Sequence, residues 1–410
     1  MLIILFFKLA KEKLMNTKIK FSLTIFTGIL LGLFLPSEVY NTLSHIFIRL
    51  AYLSLIPFLI FSIPLGIENI IENKKFKKLF GKTIYYGILI NIIGVIISIA
   101  VATIYLPQRI PILDKNIQNL YMFDKTELLE TFFPKNIFTI LTNNNPNLLS
   151  IYIISIIIGA SFYYAKQKGR IARELILSIS NLFYNANGIV VEILHFGIIF
   201  ITAAYTTNLK NFKNYQYYID SIIFLSLWTI IIIIIIIPMI SYRLTKNFKL
   251  SYKNILISIQ NIIFAGLTMD TYVPYSVLIE DIKNERINIK KSIIINIPII
   301  NFISKFGTIF ISTISFFIIL KSYSSLPISI YEISYMSILA FLFIFAFPHI
   351  PNSLIYIITM LCSTYTKGIE LSYSNIIPIL PILTSLALMI DFTSNIAIMQ
   401  IIDFNELKDT

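Results

Sequence analysis

Three charged side chains stand inside apolar stretches: Asp391 in LALMIDFTSN, Lys305 in NFISKFGTIF and Asp270 in IFAGLTMDTY. A carboxylate at the centre of a membrane helix costs about 2.5–3.5 kcal/mol on insertion scales, so it faces a cavity or a partner. Asp391 can meet the amino group of a solute or serve as an oxygen ligand for a cation; its structural alternative is a pair with Lys305. The Lys305 ammonium can stand where a cation would otherwise bind, which suits an uncoupled or proton-linked carrier. Its alternatives are the pair with Asp391 or a stem that reaches the interface. Asp270 can bind an amine or a cation, or cap a helix that has Pro274 in its first turn. Thr308, Thr393, Ser394 and Asn395 add hydroxyl and amide groups at the same depth, where such groups also bond neighbouring helices for purely structural reasons.

Other chemistries find little here. Glu192 and His195 have the E-x-x-H spacing of di-iron helices, but no second copy accompanies them. The chain has three histidines and one cysteine, Cys362, so a disulfide framework is excluded and most metalloprotease designs lack ligands. No phosphate-binding loop, nucleophile elbow or dinucleotide fingerprint occurs. The sequence therefore implies no resident cofactor and no enzyme activity.

The elements that must hold these residues are apolar and long. Of 410 residues 57% are hydrophobic and 13% charged, against about 25% charged in soluble chains. The apolar blocks run for roughly 16 to 30 residues, and a bilayer-spanning helix needs about 20. Barrel strands of alternating polarity are excluded by blocks this long and unbroken. Abundant Ile, Asn, Lys, Tyr and Phe also fit an A/T-rich genome, so the isoleucine runs indicate lipid and nothing finer. The expected fold is an all-α polytopic membrane protein with about eight spans and two broken hydrophobic segments.

The spans are expected near residues 21–35, 43–67, 83–106, 148–165 (with a second piece from about 175), 192–207, 220–242, 292–320 and 376–402. The broken segments centre on Gly266, Asp270 and Pro274, and on Phe347 to Pro351. Each is followed by a span, and paired discontinuous segments point to a transporter's binding site. The net charge of +12 lies between apolar blocks. It reads as a topology signal rather than a nucleic-acid surface. The N-terminal KLAKEKLMNTKIK, the loop at Lys74–Lys82, YRLTKNFKLSYK and IKNERINIKK fall on one side, the cytoplasm of an inner membrane; KQKGRIAR falls on the other. Met15 is a candidate start, with residues 1–20 as a cytoplasmic N-terminus.

These stretches resemble the dicarboxylate/amino acid:cation symporter family, the glutamate-transporter homologues, over roughly residues 18 to 402. IFIRLAYLSLIPFLIFSIPLGIENI is similar to the family's second helix, with Arg49, Pro57 and Gly66 in place, and KKLFGKTIYYGILINIIGVIISI to its third. Pro134, Asn136 and Gly159 match the entry to its fourth. In helix seven the proline-to-glycine interval is kept from Pro298 to Gly307, and Gly307-Thr308 survive while Ser304, Lys305 and Phe306 replace Asn, Met and Asp. The first hairpin tip reads Thr268, Met269, Asp270, Thr271 up to Pro274. The second reads Ile350, Pro351, Asn352, Ser353, Leu354 in place of Val-Pro-Gly-x-Gly. Aligned on Asn395, helix eight places Asp391 at the family's arginine, Leu388 at its first aspartate and Met399 at its last.

The resemblance implies eight helices and two re-entrant hairpins. Helices one, two, four and five would form a trimerising scaffold, and the hairpins with helices three, six, seven and eight a moving transport domain. Residues 21–254 carry the first six helices, 255–402 the transport core and 403–410 a cytoplasmic tail. Substrate would meet Thr268, Asp270, Thr271, Thr308, Pro351, Asn352, Ser353, Asp391, Thr393 and Asn395. Ser304, Lys305, Gly307 and Asn395 would serve ion coupling, and the resemblance adds sodium or a proton as the candidate coupling ion. The implied activity is elevator-type symport of an amino acid or small carboxylate by a homotrimer in membrane lipid. Asp391 at the arginine position favours a neutral or cationic amino acid, since two carboxylates repel. A non-transporting scaffold descendant and an uncoupled or proton-coupled carrier are the alternatives.

Overall fold

The computed structural model describes residues 17–34, 38–72, 76–110, 148–210, 215–270, 272–284, 287, 289, 291–323, 328–346, 353–365 and 372–408. Among them all regular structure is helical. Thr271, Pro351 and Asn352, the stretch holding Pro134 and Asn136, and the candidate start at Met15 lie outside the described residues.

The first half supplies α1 (Thr17–Phe34), α2 (Glu38–Glu72), α3 (Phe76–Ile104), α4 (Leu148–Ala165) and α5 (Arg170–Lys210). Helix α6 (Ile219–Ile231) continues through a π-helical turn at Ile232–Ile236 into α7 (Ile237–Thr245). Two short helices, α8 (Phe248–Ile257) and α9 (Ile259–Thr268), lead to a tip at Met269, from which α10 (Tyr272–Lys283) returns against α9. Met269 takes a left-handed φ of 51°, which turns the chain sharply at the end of α9. After a 3₁₀ turn at Lys291–Asn296 come α11 (Ile297–Ile303) and α12 (Phe306–Tyr323), separated by two non-helical residues, Ser304 and Lys305. Helices α13 (Ile330–Ala346) and α14 (Ser353–Thr364) pack on one another, and α15 (Leu380–Lys408) closes the chain.

Six described segments are long and apolar enough to cross a membrane: Tyr40–Glu72, Lys78–Ile104, Ser150–Lys210, Gln216–Thr245, Ile293–Tyr323 and Ile377–Asn405. The third, of 61 residues, would be about 90 Å long as one straight helix, three bilayer cores. It folds back instead. Gly159 of α4 lies against Pro64 and Ile67 of α2. Arg173, at the start of α5, forms an ion pair with Glu68, while Asn187 meets Ser54 and Gly197 meets Phe47. Helix α5 thus runs antiparallel to α2, and the chain reverses at Lys166–Gly169.

Three expectations change here. The second piece from residue 175 and the span at 192–207 are one continuous helix, α5. Its polar run SISNLFYNANG does not end a helix: the buried amide of Asn187 bonds Ser54 and the Ser276 carbonyl, while Asn181 and Asn185 lie on the exposed face. KQKGRIAR, expected on the opposite side, sits beside Glu68 and Glu72 at the end of α2, and the expected loop at Lys74–Lys82 is from Phe76 onward the first turns of α3. The Lys291–Asn296 turn joins that end, with Ile295 against Gly66.

Packing divides the helices into two groups. One comprises α1, α2, α4 and α5; in it Gly28 and Gly32 let α1 approach α5 so closely that a Cβ on Gly28 would lie 2.7 Å from Thr202. The other gathers α3 and α6–α15 around α12, which is buried from Phe306 to Leu320; of these, α10 packs on α2 and α5 as well as on α9. The groups meet where Phe264 of α9 and Val273 of α10 pack with Ala51 of α2 and Leu194 and Ile198 of α5.

Candidate functional site

The site grows out of the interruption between α11 and α12. Ser304 leaves the helix with an extended backbone (ψ 108°), so nearby peptide groups lose their helical partners. Asn91 of α3 replaces two of them: its Nδ2 donates to the Ile303 carbonyl (2.6 Å) and its Oδ1 accepts from the Lys305 amide (2.9 Å). One buried asparagine thus braces both sides of the break.

Asp391 completes the other side. Its Oδ1 accepts from the Gly307 amide (2.6 Å) and the Thr308 amide (3.2 Å), and its Oδ2 from the Thr308 hydroxyl (2.6 Å). The carboxylate, 0% exposed, caps the N-terminus of α12, where free amides and the helix dipole favour an anion. Gly307 permits the approach, because a Cβ there would overlap the Ala387 carbonyl of α15. Next to it, the Ser304 and Ser394 hydroxyls share a hydrogen bond of 2.8 Å, and Ser394 also donates to the Asp391 carbonyl.

Lys305 is 6% exposed. It interacts electrostatically with Asp391 and with Asp270, yet among the described residues no hydrogen bond or ion pair closes on its ammonium. The expected Asp391–Lys305 pair is therefore a through-space interaction: the carboxylate's direct partners are Gly307 and Thr308. Nor does Lys305 reach an interface. Asp270 accepts a short hydrogen bond from the Tyr52 hydroxyl of α2.

Asn395 lies one turn beyond Asp391 on α15. Its Nδ2 donates to the Tyr275 hydroxyl (2.7 Å) and more distantly to Asn301 (3.5 Å), while its Oδ1 is buried without a partner. The other hydroxyls are engaged locally. Thr268 donates to the carbonyls of Phe264 and Asp270, and Thr393 to that of Met389. Ser353 stands at the start of α14. The structure thus joins Ser304, Lys305, Gly307, Thr308, Asp391, Ser394 and Asn395 in one centre, with Asp270 and Thr268 on its hairpin side.

Asn91, Tyr52, Tyr275 and Asn301 were not among the sequence candidates. Asn91 had a readable signal, a lone amide in the apolar run ILINIIG. The tyrosines had none, since their partners come from distant segments.

A cation bound here would need oxygen ligands. Asp391 already accepts three hydrogen bonds and Lys305 adds a fixed positive charge, so the described donors do not fit a resident metal ion. No group of three or more metal-binding side chains occurs among the described residues.

Comparison with known proteins agrees with this architecture. The family model described as the sodium:dicarboxylate symporter family matches residues 18–403. The chain is 26% identical over 201 residues to the proton/sodium-glutamate symport protein of Geobacillus stearothermophilus, covering 44% of this chain and 47% of that one. It is 23% identical over 185 residues to the C4-dicarboxylate transport protein of Cupriavidus pinatubonensis, covering 42% of each. The chain spans about half the length of the curated relatives it matches.

Proposed function

The chain belongs to the sodium:dicarboxylate symporter family, and from that premise we propose that it is a secondary active transporter of an amino acid or small carboxylate. The observation that carries this reading is the buried polar centre at the α11–α12 break. Charges inside a membrane bundle, and irregular backbone at that depth, are sustained where they line a solute or ion path.

In this reading α1, α2, α3, α4, α5, α6 with α7, α11 with α12, and α15 make eight crossings. The α9–α10 and α13–α14 hairpins are re-entrant. The end bearing Lys166, Arg170 and the start of α3 with Lys78 and Lys82 faces the cytoplasm of the inner membrane, by the excess of basic residues there. The group α1, α2, α4 and α5 is the scaffold of a homotrimer, and the group around α12 moves against it as an elevator. The interface between them supports this. Its core is apolar, and the polar links recorded among the described residues, Tyr52–Asp270, Asn187–Ser276, Tyr205–Ser385 and the Lys283 ammonium over the Tyr184 ring, are single side-chain contacts rather than a continuous network.

The coupling ion has two candidates. The family's description names sodium, and a relative's name names both proton and sodium. The fixed ammonium of Lys305 favours proton-linked or uncoupled transport, because it already supplies a positive charge in the centre.

Uptake into proteoliposomes tests the function. Labelled amino acids and dicarboxylates would be offered with a sodium gradient, a proton gradient and no gradient. Saturable accumulation is the expected result, and the gradient that drives it names the ion. Folded, trimeric protein that accumulates nothing would instead support a non-transporting scaffold.

A further inference from the structure

We propose that Lys305 is the substrate's carboxylate receptor and that Asp391 bars a second carboxylate, so the site takes an α-amino acid with a neutral or basic side chain. The inference rests on the transport reading above.

The N-terminus of α12 offers what an anionic group of a substrate would seek: two amides, a hydroxyl and the positive end of a helix dipole. The Asp391 carboxylate already fills that place, held by Gly307 and Thr308. A substrate anion arriving there meets a carboxylate instead of a donor.

One cationic donor remains. Lys305 is nine-tenths buried, and nothing among the described residues bonds its ammonium. A buried charge without a direct partner is costly, and a carboxylate supplied by substrate removes that cost. Asp391 is turned to α12 and Asp270 receives Tyr52, and both act on Lys305 electrostatically.

The same centre accommodates the other pole of a zwitterion. Asp270 contributes negative charge near Lys305, and the unpartnered Asn395 Oδ1 is an acceptor one turn from Asp391. The three side chains Asp270, Asp391 and Lys305 comprise two acids and one base, so the centre has an excess of one acidic group. A zwitterion leaves that excess unchanged and a basic amino acid offsets it. A dicarboxylate adds two further negative charges in a medium where like charges repel strongly. The proposed specificity therefore differs from what the relatives' names describe.

The test uses the full chain in nanodiscs for binding and in proteoliposomes for uptake. The probes are labelled serine, leucine and lysine, the carboxamides of the same amino acids, glutamate and succinate. Wild type is expected to bind at least one amino acid, to bind its carboxamide at least about tenfold more weakly, and to ignore glutamate and succinate. Lys305→Met should weaken amino-acid binding about tenfold or more, and Asp391→Asn should let glutamate compete.

If wild type transports but accepts carboxamides equally, or takes glutamate or succinate, the specificity proposal fails while the transport function stands. The same holds if Lys305→Met binds as wild type does, or regains affinity only with sodium; the latter would assign Lys305 the place of a cation. The carboxamide and competition arms need no variant, so a Lys305→Met chain that misfolds does not blunt the test. Folded wild type that neither binds nor transports any probe overturns both readings.

Discussion

At the scale of single residues, the site is held by contacts that leave little slack. Asp391 satisfies two backbone amides and a hydroxyl and faces the charge of Lys305. Replacing it with alanine strips the cap from α12 and leaves a buried ammonium uncompensated, a loss of about 3–5 kcal/mol. Thermal unfolding in detergent should show a fall of many degrees for Asp391→Ala and a smaller one for Asp391→Asn, which keeps one acceptor. Equal falls would mean that the retained acceptor contributes nothing and that the lost charge accounts for the whole effect. Gly307→Ala places a methyl group into the Ala387 carbonyl and should cost about 1–3 kcal/mol; an unchanged midpoint would show that α15 can withdraw there. Of this centre, the sequence disclosed the residue types and their depth. It did not disclose that Asp391 is spent on α12, because a hydrogen bond between positions 84 residues apart leaves no local pattern.

At the scale of elements, the interruption of α11–α12 is the feature on which the site depends, and its stability lies outside both helices. Asn91 of α3 supplies a donor to one side and an acceptor to the other. Asn91→Leu keeps the volume and leaves a carbonyl and an amide buried without partners, at about 1–3 kcal/mol for each group. It should also impair amino-acid binding without touching any ligand-facing group. Retained affinity would show that the break holds its shape unaided. The helices themselves were largely legible from apolar length. The misreading of α5 and of KQKGRIAR had one physical origin. Polar residues inside a helix look like an ending until their partners are known, and one misplaced ending inverts the side assigned to the next loop.

At the scale of the whole molecule, the two packed groups meet through α9 and α10 against α2 and α5. If transport slides one group past the other, fixing that interface must stop it. A Cβ at Gly188 would lie 3.3 Å from the Glu280 carboxylate, so a short bifunctional thiol reagent can span cysteines at these two positions, and the native Cys362 is buried. In the Gly188→Cys, Glu280→Cys chain, treatment with a cleavable reagent of this kind should abolish uptake and its cleavage should restore it. Full cross-linking with undiminished uptake would rule out the sliding motion.

The enclosure of α12 has a consequence for how the protein is made. In the segment Ile293–Tyr323 every residue from Phe306 to Leu320 is buried by protein, whereas the isoleucine-rich Gln216–Thr245 segment exposes Ile223, Leu227, Ile230 and Ile234. Its mean hydropathy is 1.9 against 3.0 for that neighbour, and it carries Lys305 at a break in its backbone. Such a segment is a poor client for the lateral exit of a translocon, which sorts each nascent helix by its affinity for lipid. Helix α3, its principal earlier neighbour, is synthesised before it, and α13, α14 and α15 after it. The most buried part of the chain is therefore expected to enter the bilayer as a passenger, admitted by helices already there and sealed in by those still to come.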